Sequence, residues 1–269
     1  MERRGPTRAG PSRAPNAAGK EGGGLMLLER KDVLEAVANA WWEKSPRMFV
    51  FLKQHLSREG AQIFAKEHTF FAAHFPRWFG NIIGNCPHLE ARRYMIRNMH
   101  VEEVKDPTID DTHYESMVKF GEGLGLRREE ILNYVPGIPM RMAVHYWDNV
   151  SRTKPWLEAF AAIGGLELTN HGELAARYGQ RPLNSRKQWE PLGLTRKFMT
   201  HWEAADAADP DEEGHAEETA RIVMEHVRSR DEADRVLGAM AESITVFRYV
   251  YDLIGEWAIE ATRQAMGRR

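Results

Sequence analysis

The sequence predicts an all-α protein built as a single helical-bundle domain. Three observations predict it. From Leu27 onward, apolar residues recur three and four positions apart, as in Val33, Val37, Ala40 and Trp41, which is the spacing that lines one face of a helix. No run alternates β-branched with polar residues in the manner of a half-buried strand. Start and stop signals divide the periodic stretches into helical lengths.

The elements follow in order. Residues 1–25 (MERRGPTRAGPSRAPNAAGKEGGGL) are rich in Gly, Pro, Arg and Ala and offer almost nothing to bury, so a disordered extension is expected there, with the helical domain over 26–269. FVFLKQHLSREGAQIFAKEHTFFAAHFPRWFGNIIGN holds two helices. Ser57 with Glu59 nearby marks a start, and Pro76 bends or interrupts the second. A further helix is expected over 88–103, a loop at VKDPTIDD, and a helix over 113–123. GLGLRREE stops one helix and starts the next, and VPGIP is a turn-rich link. Long helices fit 138–152, 155–178, 194–208 and 213–229. A last one over 231–266 is expected to break or bend near Gly255.

Composition narrows the function classes. The 269 residues suffice for one substantial core. With 37 basic and 39 acidic residues the net charge is -2, which argues against a general nucleic-acid or membrane-surface binder. No apolar run approaches the roughly 18–20 residues needed to cross a bilayer. Residues 1–24 lack the apolar stretch of a secretory signal, so a cytoplasmic location is expected. One cysteine, Cys86, excludes an internal disulfide framework and a multi-thiolate metal site, and reads as a small buried side chain.

The chemistry-bearing residues are eleven histidines and many carboxylates on helices that should pack together. Helical bundles build metal sites from inward-facing Glu and His, and such a donor set without thiolate suits iron or manganese, zinc less specifically. Glu102, Glu103, His113, Glu167, His201, Asp206, Glu212 and His215 are the candidates. Each taken alone is more simply a solvated or capping residue. Trp41, Trp42, Trp78, Trp147 and Trp156 read as core or dimer packing. His68 and His74 read as structural histidines that could also line a pocket. Lys119, Arg127 and Arg128 read as solvated charges.

The run LSREGAQIFAKEHTFFAAHFPRWFGNIIGNCPHLEARRYMIRNMHVEE, followed by GEGLGLRREEI, resembles the heme-oxygenase-like superfamily in its TenA/PqqC-like branch. The resemblance runs from about residue 45 to 255 and is clearest over 56–132. It implies a single heme-oxygenase-like helical bundle and several alternative chemistries. In pattern it resembles most the di-iron oxidases of this fold, of the chlamydial p-aminobenzoate-forming type. They carry a Glu then a His, a Glu on the next core helix, and a His-x3-Asp-x2-His run. That pattern places metal ligands at Glu102, His113, Glu167, His201 and His215, with Asp206 or Glu212 as the third-run acid; Asn170 or Glu173 could replace Glu167. It implies two iron ions, with manganese as the alternative, and dioxygen as cosubstrate. It further implies a small-molecule substrate (amino acid, amine or acyl group), room for an external electron donor, a homodimer, and neither nucleic acid nor membrane as partner. Heme is not implied for this branch.

The third run departs from the pattern. His201 and His215 are 14 residues apart instead of 7, which would separate them by about 21 Å along a continuous helix. A break is therefore needed, and Asp209–Pro210 supplies an N-cap followed by a first-turn proline. Two other enzyme branches remain. NCP, GEGLGL and PGIPMRMAV resemble the PqqC type, a metal-free oxidase. That type grips a polycarboxylate with Arg and Lys near the third run, where this chain has Thr200, His201 and Trp202 followed by acids. The TenA type needs a Cys nucleophile on a core helix, and Cys86 stands in the wrong place. Outside enzymes, a helical binding protein that has lost the metal site is the alternative.

Overall fold

Helices make up the repetitive structure of residues 27–208 and 215–268, which the computed structural model describes; the one pairing of extended backbone among them is an isolated bridge between Asp106 and Asp111. The expected disordered extension, 1–25, lies outside the described residues. In chain order the helices are α1 (Arg30–Val37), α2 (Arg47–Val50), α3 (Arg58–Ala72), α4 (Phe75–Asn85), α5 (Leu89–Glu103), α6 (His113–Gly123) and α7 (Arg128–Leu132). Then come α8 (Ile138–Thr153), α9 (Trp156–Gly164), α10 (Gly172–Arg177), α11 (Arg186–Trp189), α12 (Thr200–Ala208), α13 (His215–His226) and α14 (Arg230–Met266). The all-α single-bundle expectation agrees with this architecture. No helix of the described residues is long and apolar enough to cross a membrane.

The 37-residue α14 is the spine. Val236, Met240, Ile244, Phe247, Tyr251, Ile254 and Ala258 recur at three- and four-residue spacing and are buried, and α2, α3 and α9 pack along that helix. Its start is fixed by Ser229, whose hydroxyl accepts from Glu232 N at 3.1 Å, with Asp231 and Glu232 favoured by the helix dipole in the first turn. Ser57 caps α3 in the same way, accepting from Gly60 N at 3.0 Å, as the sequence signal indicates. Trp41, Trp42, Trp78 and Trp147 are all in the core. Among them, the Trp147 indole donates to Ser243 Oγ at 2.9 Å, which satisfies its polar end without opening the packing.

Four boundaries differ from expectation. The helix expected over 155–178 stops at Gly164, turns through a 3-10 segment at Glu167–Asn170 and restarts as α10; at its end Gly165 packs so tightly that a Cβ there would lie 2.4 Å from the Ala161 carbonyl oxygen. The segment expected to be one helix over 194–208 is a 3-10 turn at Arg196–Phe198 followed by α12. α1 and α2 each run on into a π-helical turn, at Ala38–Trp42 and Phe51–His55, which no periodicity announces. Finally, α14 does not break at Gly255. A Cβ there would lie 2.3 Å from Met48 N and 2.4 Å from the Arg47 carbonyl carbon. Glycine lets α2 meet the spine backbone to backbone, so its role is close approach and not a bend.

Candidate active site

A cavity of about 130 Å³ lies where α3, α6, α12 and α14 meet. From α3, Phe64, His68 and Phe71 stand at i, i+4 and i+7, so one helical face presents three rings to it. Phe247 of α14 packs on Phe71 with ring centres 5.1 Å apart. Trp202 of α12 closes another wall, stacked on Trp189 at 4.7 Å with the planes 12° apart. The polar groups arrive from elsewhere: Glu102 from the end of α5, His113 from the first turn of α6, His201 from α12, and Glu167 with Asn170 from the 3-10 turn. Three residues per turn place Glu167 and Asn170 on the same side, which a continuous α-helix would not do as closely.

Three imidazoles meet here in different states. His113 donates from Nδ1 to Glu102 at 3.0 Å and from Nε2 to Asp106 at 2.6 Å. Burial pulls its pKa down, but the two carboxylates outweigh burial and raise it to about 9, so the ring is an imidazolium. Asp106 is pushed up by burial, yet bonds from the Thr108 hydroxyl and amide (2.7 Å each) and from His113 hold it below the usual carboxylate range. His201 is half-buried, and desolvation of its ring together with the nearby His68 and His113 pushes its pKa well below the ordinary imidazole value. Its Nδ1 lies 3.1 Å from Ser116 Oγ, whose proton goes to the His113 carbonyl at 2.6 Å. Nδ1 therefore carries the proton and Nε2 keeps the lone pair. His68 is bonded through Nδ1 to the Tyr251 hydroxyl, and burial lowers its pKa to about 4. Burial raises the Tyr251 hydroxyl far above its ordinary range, so the phenol stays protonated.

Of the residues singled out in the sequence, Glu102, His113, Glu167 and His201 line this cavity together. Glu103 is exposed. Glu173 pairs with Arg30 at 2.9 Å and Arg177 at 3.3 Å, away from the lining, so Glu167 and Asn170 are the side chains that face the cavity. Asp206 is exposed on α12 and accepts from the Arg186 amide at 3.3 Å. Glu212 lies outside the described residues, as do Asp209 and Pro210, and His215 is described only as the first residue of α13. Sequence reasoning missed Asp106, Ser116 and Tyr251 and left His68 as a structural histidine. Only His68 carried a signal, the Phe64–His68–Phe71 spacing. Asp106 is brought in by the loop after α5, Ser116 stands one turn after His113 on α6, and Tyr251 comes from the distant spine.

The model of the TENA/THI-4/PQQC family matches residues 51–188. The chain belongs to this family. Among the curated members of known activity, it is 24% identical to the 4-aminobenzoate synthase of Chlamydia trachomatis over 228 residues, 81% of this chain and 84% of that one. It is 26% identical to the pyrroloquinoline-quinone synthase of Pseudomonas aeruginosa over 199 residues, 73% and 74% of the two chains. These family members are enzymes of small-molecule synthesis, which supports catalytic activity here. The fold is shared with a heme-oxygenase-like domain from Shewanella denitrificans (TM-score 0.67, 17% identity, covering 84% of this chain and 92% of that one). It is shared also with a TenA homolog from Pseudomonas syringae (TM-score 0.63, 16% identity, 87% and 96%).

The metal-binding, di-iron expectation is corrected. Among the described residues, no group of three or more His, Cys, Asp or Glu side chains is disposed to hold a metal ion. The reason is visible in the bonds just given. Both nitrogens of His113 are spent on carboxylates, Nδ1 of His201 faces Ser116, and Asp206 sits on the surface. Of the residues expected to hold two iron or manganese ions, Glu102, His113, Glu167 and His201 line the cavity and Asp206 stands outside it, while Glu212 and the His215 side chain lie outside the described residues. The similarity to pyrroloquinoline-quinone synthases agrees, since the PqqC type is the metal-free branch of the resemblance.

Proposed function

We propose that this protein is an oxygen-dependent oxidase of a small organic molecule, working in the metal-free manner of the PqqC type. The observation that carries the reading is the pairing of a neutral His201 with a cationic His113, ring centres 6.2 Å apart, on the wall of one largely aromatic cavity. His201 Nε2 is the base that takes a proton from the substrate. His113, held charged by Glu102 and Asp106, offers fixed positive charge to the anion so formed and to reduced oxygen beside it. His68, held by its bond to Tyr251, packs against His201 with ring centres 5.9 Å apart. The rings exclude water, which strengthens these electrostatic effects.

The balance is simple. The substrate loses two electrons and two protons, dioxygen gains them, and hydrogen peroxide leaves. An electron-rich substrate supplies both electrons, so no external donor is needed. The homodimer and cytoplasmic location expected from the sequence belong to the same proposal; exposed Val135, Ile138 and Met142 are the apolar surface that a dimer would bury. The test is oxygen uptake and peroxide release with a panel of small amines, phenols and amino acids, after exhaustive treatment with a chelator. Peroxide formed at an unchanged rate in the chelated protein supports the reading. Turnover that appears only after ferrous loading, or ligand binding with no oxygen uptake from any substrate, sinks it.

A further inference from the structure

We infer that the outer face of α8 and α14 is where a second copy of this chain docks, with α8 of each copy lying antiparallel on α14 of the other. This rests on the dimer named with the oxidase reading, gives it a face, an axis and a register, and needs none of the oxidation chemistry. The face is built by two helices packed side by side. Trp257 covers Gly137, where a Cβ would lie 2.7 Å from the indole, and the Trp147 indole bonds Ser243, so the two helices run antiparallel. Ile138 and Met142 stand one turn apart on α8, and Tyr249 and Leu253 one turn apart on α14; they are 63, 66, 58 and 37% exposed. Half-buried Trp257 continues the α14 row by one more turn. Single apolar side chains at a surface are ordinary, whereas rows of them on two adjoining helices form a continuous patch that marks a docking site.

Charge says what docks and in which orientation. The exposed ionisable residues beside the apolar row of α8 are basic, Arg141, His145 and Arg152, and those beside the row of α14 are acidic, Glu242 and Glu256. Among the described residues, Arg141, Arg152 and Glu242 make no ion pair, whereas Glu256 bonds Arg47 at 2.8 Å. A face that is basic along one edge and acidic along the other is complementary to itself. A two-fold axis parallel to the helices lays α8 of one copy on α14 of the other, base against acid. The perpendicular axis lays α8 on α8 and α14 on α14, like charge on like, which costs affinity. The register follows from contacts within the chain: Gly137 is level with Trp257, and Trp147 with Ser243 and Phe247. The rise per residue is the same in both helices, so Met142 of the second copy reaches the Tyr249–Leu253 turn and its Arg152 comes within about one turn of Glu242. The acidic edge would repel an anionic membrane.

The test is sedimentation of the full-length chain at micromolar concentration, with variants at exposed positions whose folding is checked by circular dichroism. We expect a dimer, and a dissociation constant at least tenfold higher in Met142→Glu, which puts a charge into the apolar row. Arg152→Glu and Glu242→Arg should each weaken the dimer severalfold at low salt. Combining the two should restore it, because each copy then offers the swapped pair to the other. A monomeric unmodified chain, alone or held on anionic lipid vesicles, overturns the inference. So does a dimer indifferent to Met142→Glu, or a double variant no tighter than the single ones, since the contact then lies elsewhere or about the other axis. Oxygen uptake is scored separately. A monomer that consumes oxygen keeps the oxidase and removes this face. A dimer that passes the charge swap and consumes no oxygen keeps the face and removes the oxidase.

Discussion

His113 and His201 are the same side chain in opposite protonation states, and the difference lies in what each nitrogen touches. Carboxylates on both nitrogens hold a proton on His113, while His201 faces a hydroxyl and a carbonyl in a desolvated setting and stays neutral. Their proposed roles are base and fixed cation. Replacing His201 with Ala should cut kcat by about 10²–10⁴-fold, the range of general base catalysis, with the fold intact by circular dichroism. Retention of more than half the activity would remove His201 from that role. The rate should also follow the charge on His113. kcat/KM is expected to stay level from the ordinary imidazole range upward and to fall above pH about 9, where that ring loses its proton. In His113→Gln the fall near pH 9 should be absent and the plateau lower. Ser116→Ala removes the group that holds the His201 tautomer. It should lower kcat roughly tenfold and shift the acid limb of the profile, whereas a purely structural loss would leave the limb where it is.

At the scale of elements, two glycines on α14 make opposite predictions. Gly255 meets the α2 backbone, and Gly238 has nothing within 4 Å of where a Cβ would stand. Gly255→Ala should destabilise the protein by about 1–3 kcal/mol, as overpacking does. Gly238→Ala should stabilise it by about 0.5–1 kcal/mol, because a helical glycine costs backbone entropy. Urea midpoints of the two variants check both signs. The 3-10 turn at Glu167–Asn170 is the other element that decides function, since it carries two polar side chains to the cavity. The α10 restart next to it is held by His171, which accepts from Leu174 N and meets Glu217 at 2.8 Å. Arg30 of α1 bonds the same Glu217, so three segments distant in sequence meet beside the site.

For the whole molecule, the shifted histidines set a pH window of stability. His68 has a folded pKa of about 4, below the unfolded value near 6.5, so the unfolded chain binds more protons between those limits and stability falls as pH drops from 6.5 toward 4. His201 acts with the same sign. His113 has a folded pKa of about 9, so its contribution is complete below pH 6.5 and is lost as pH rises through 9. Stability should therefore peak near pH 6.5, with each limb having a slope of up to about 1.4 kcal/mol per pH unit for one group. Urea denaturation across pH 4–10 measures the dome. His113→Gln should flatten the alkaline limb alone, and an unchanged limb would show that the imidazolium is not stabilised in the fold.

Periodicity, caps and composition by themselves determined that this chain is a helical bundle with one core. The apolar spacing of α14, the Ser57 start and the interruption before Pro76 are local facts, and local sequence encodes them. The residue runs around 56–132 carried the family. Four of the cavity's acids and histidines, Glu102, His113, Glu167 and His201, could be named because they lie on or beside such elements. Tertiary structure alone decided what they face. It turned His113 toward Asp106 through a loop, placed Ser116 against His201, and left Asp206 outside. A donor becomes a metal ligand, an ion-pair partner or a base according to which group arrives from another element. Helix periodicity fixes which side of its own helix a residue occupies, and contains no term for what the opposing helix brings.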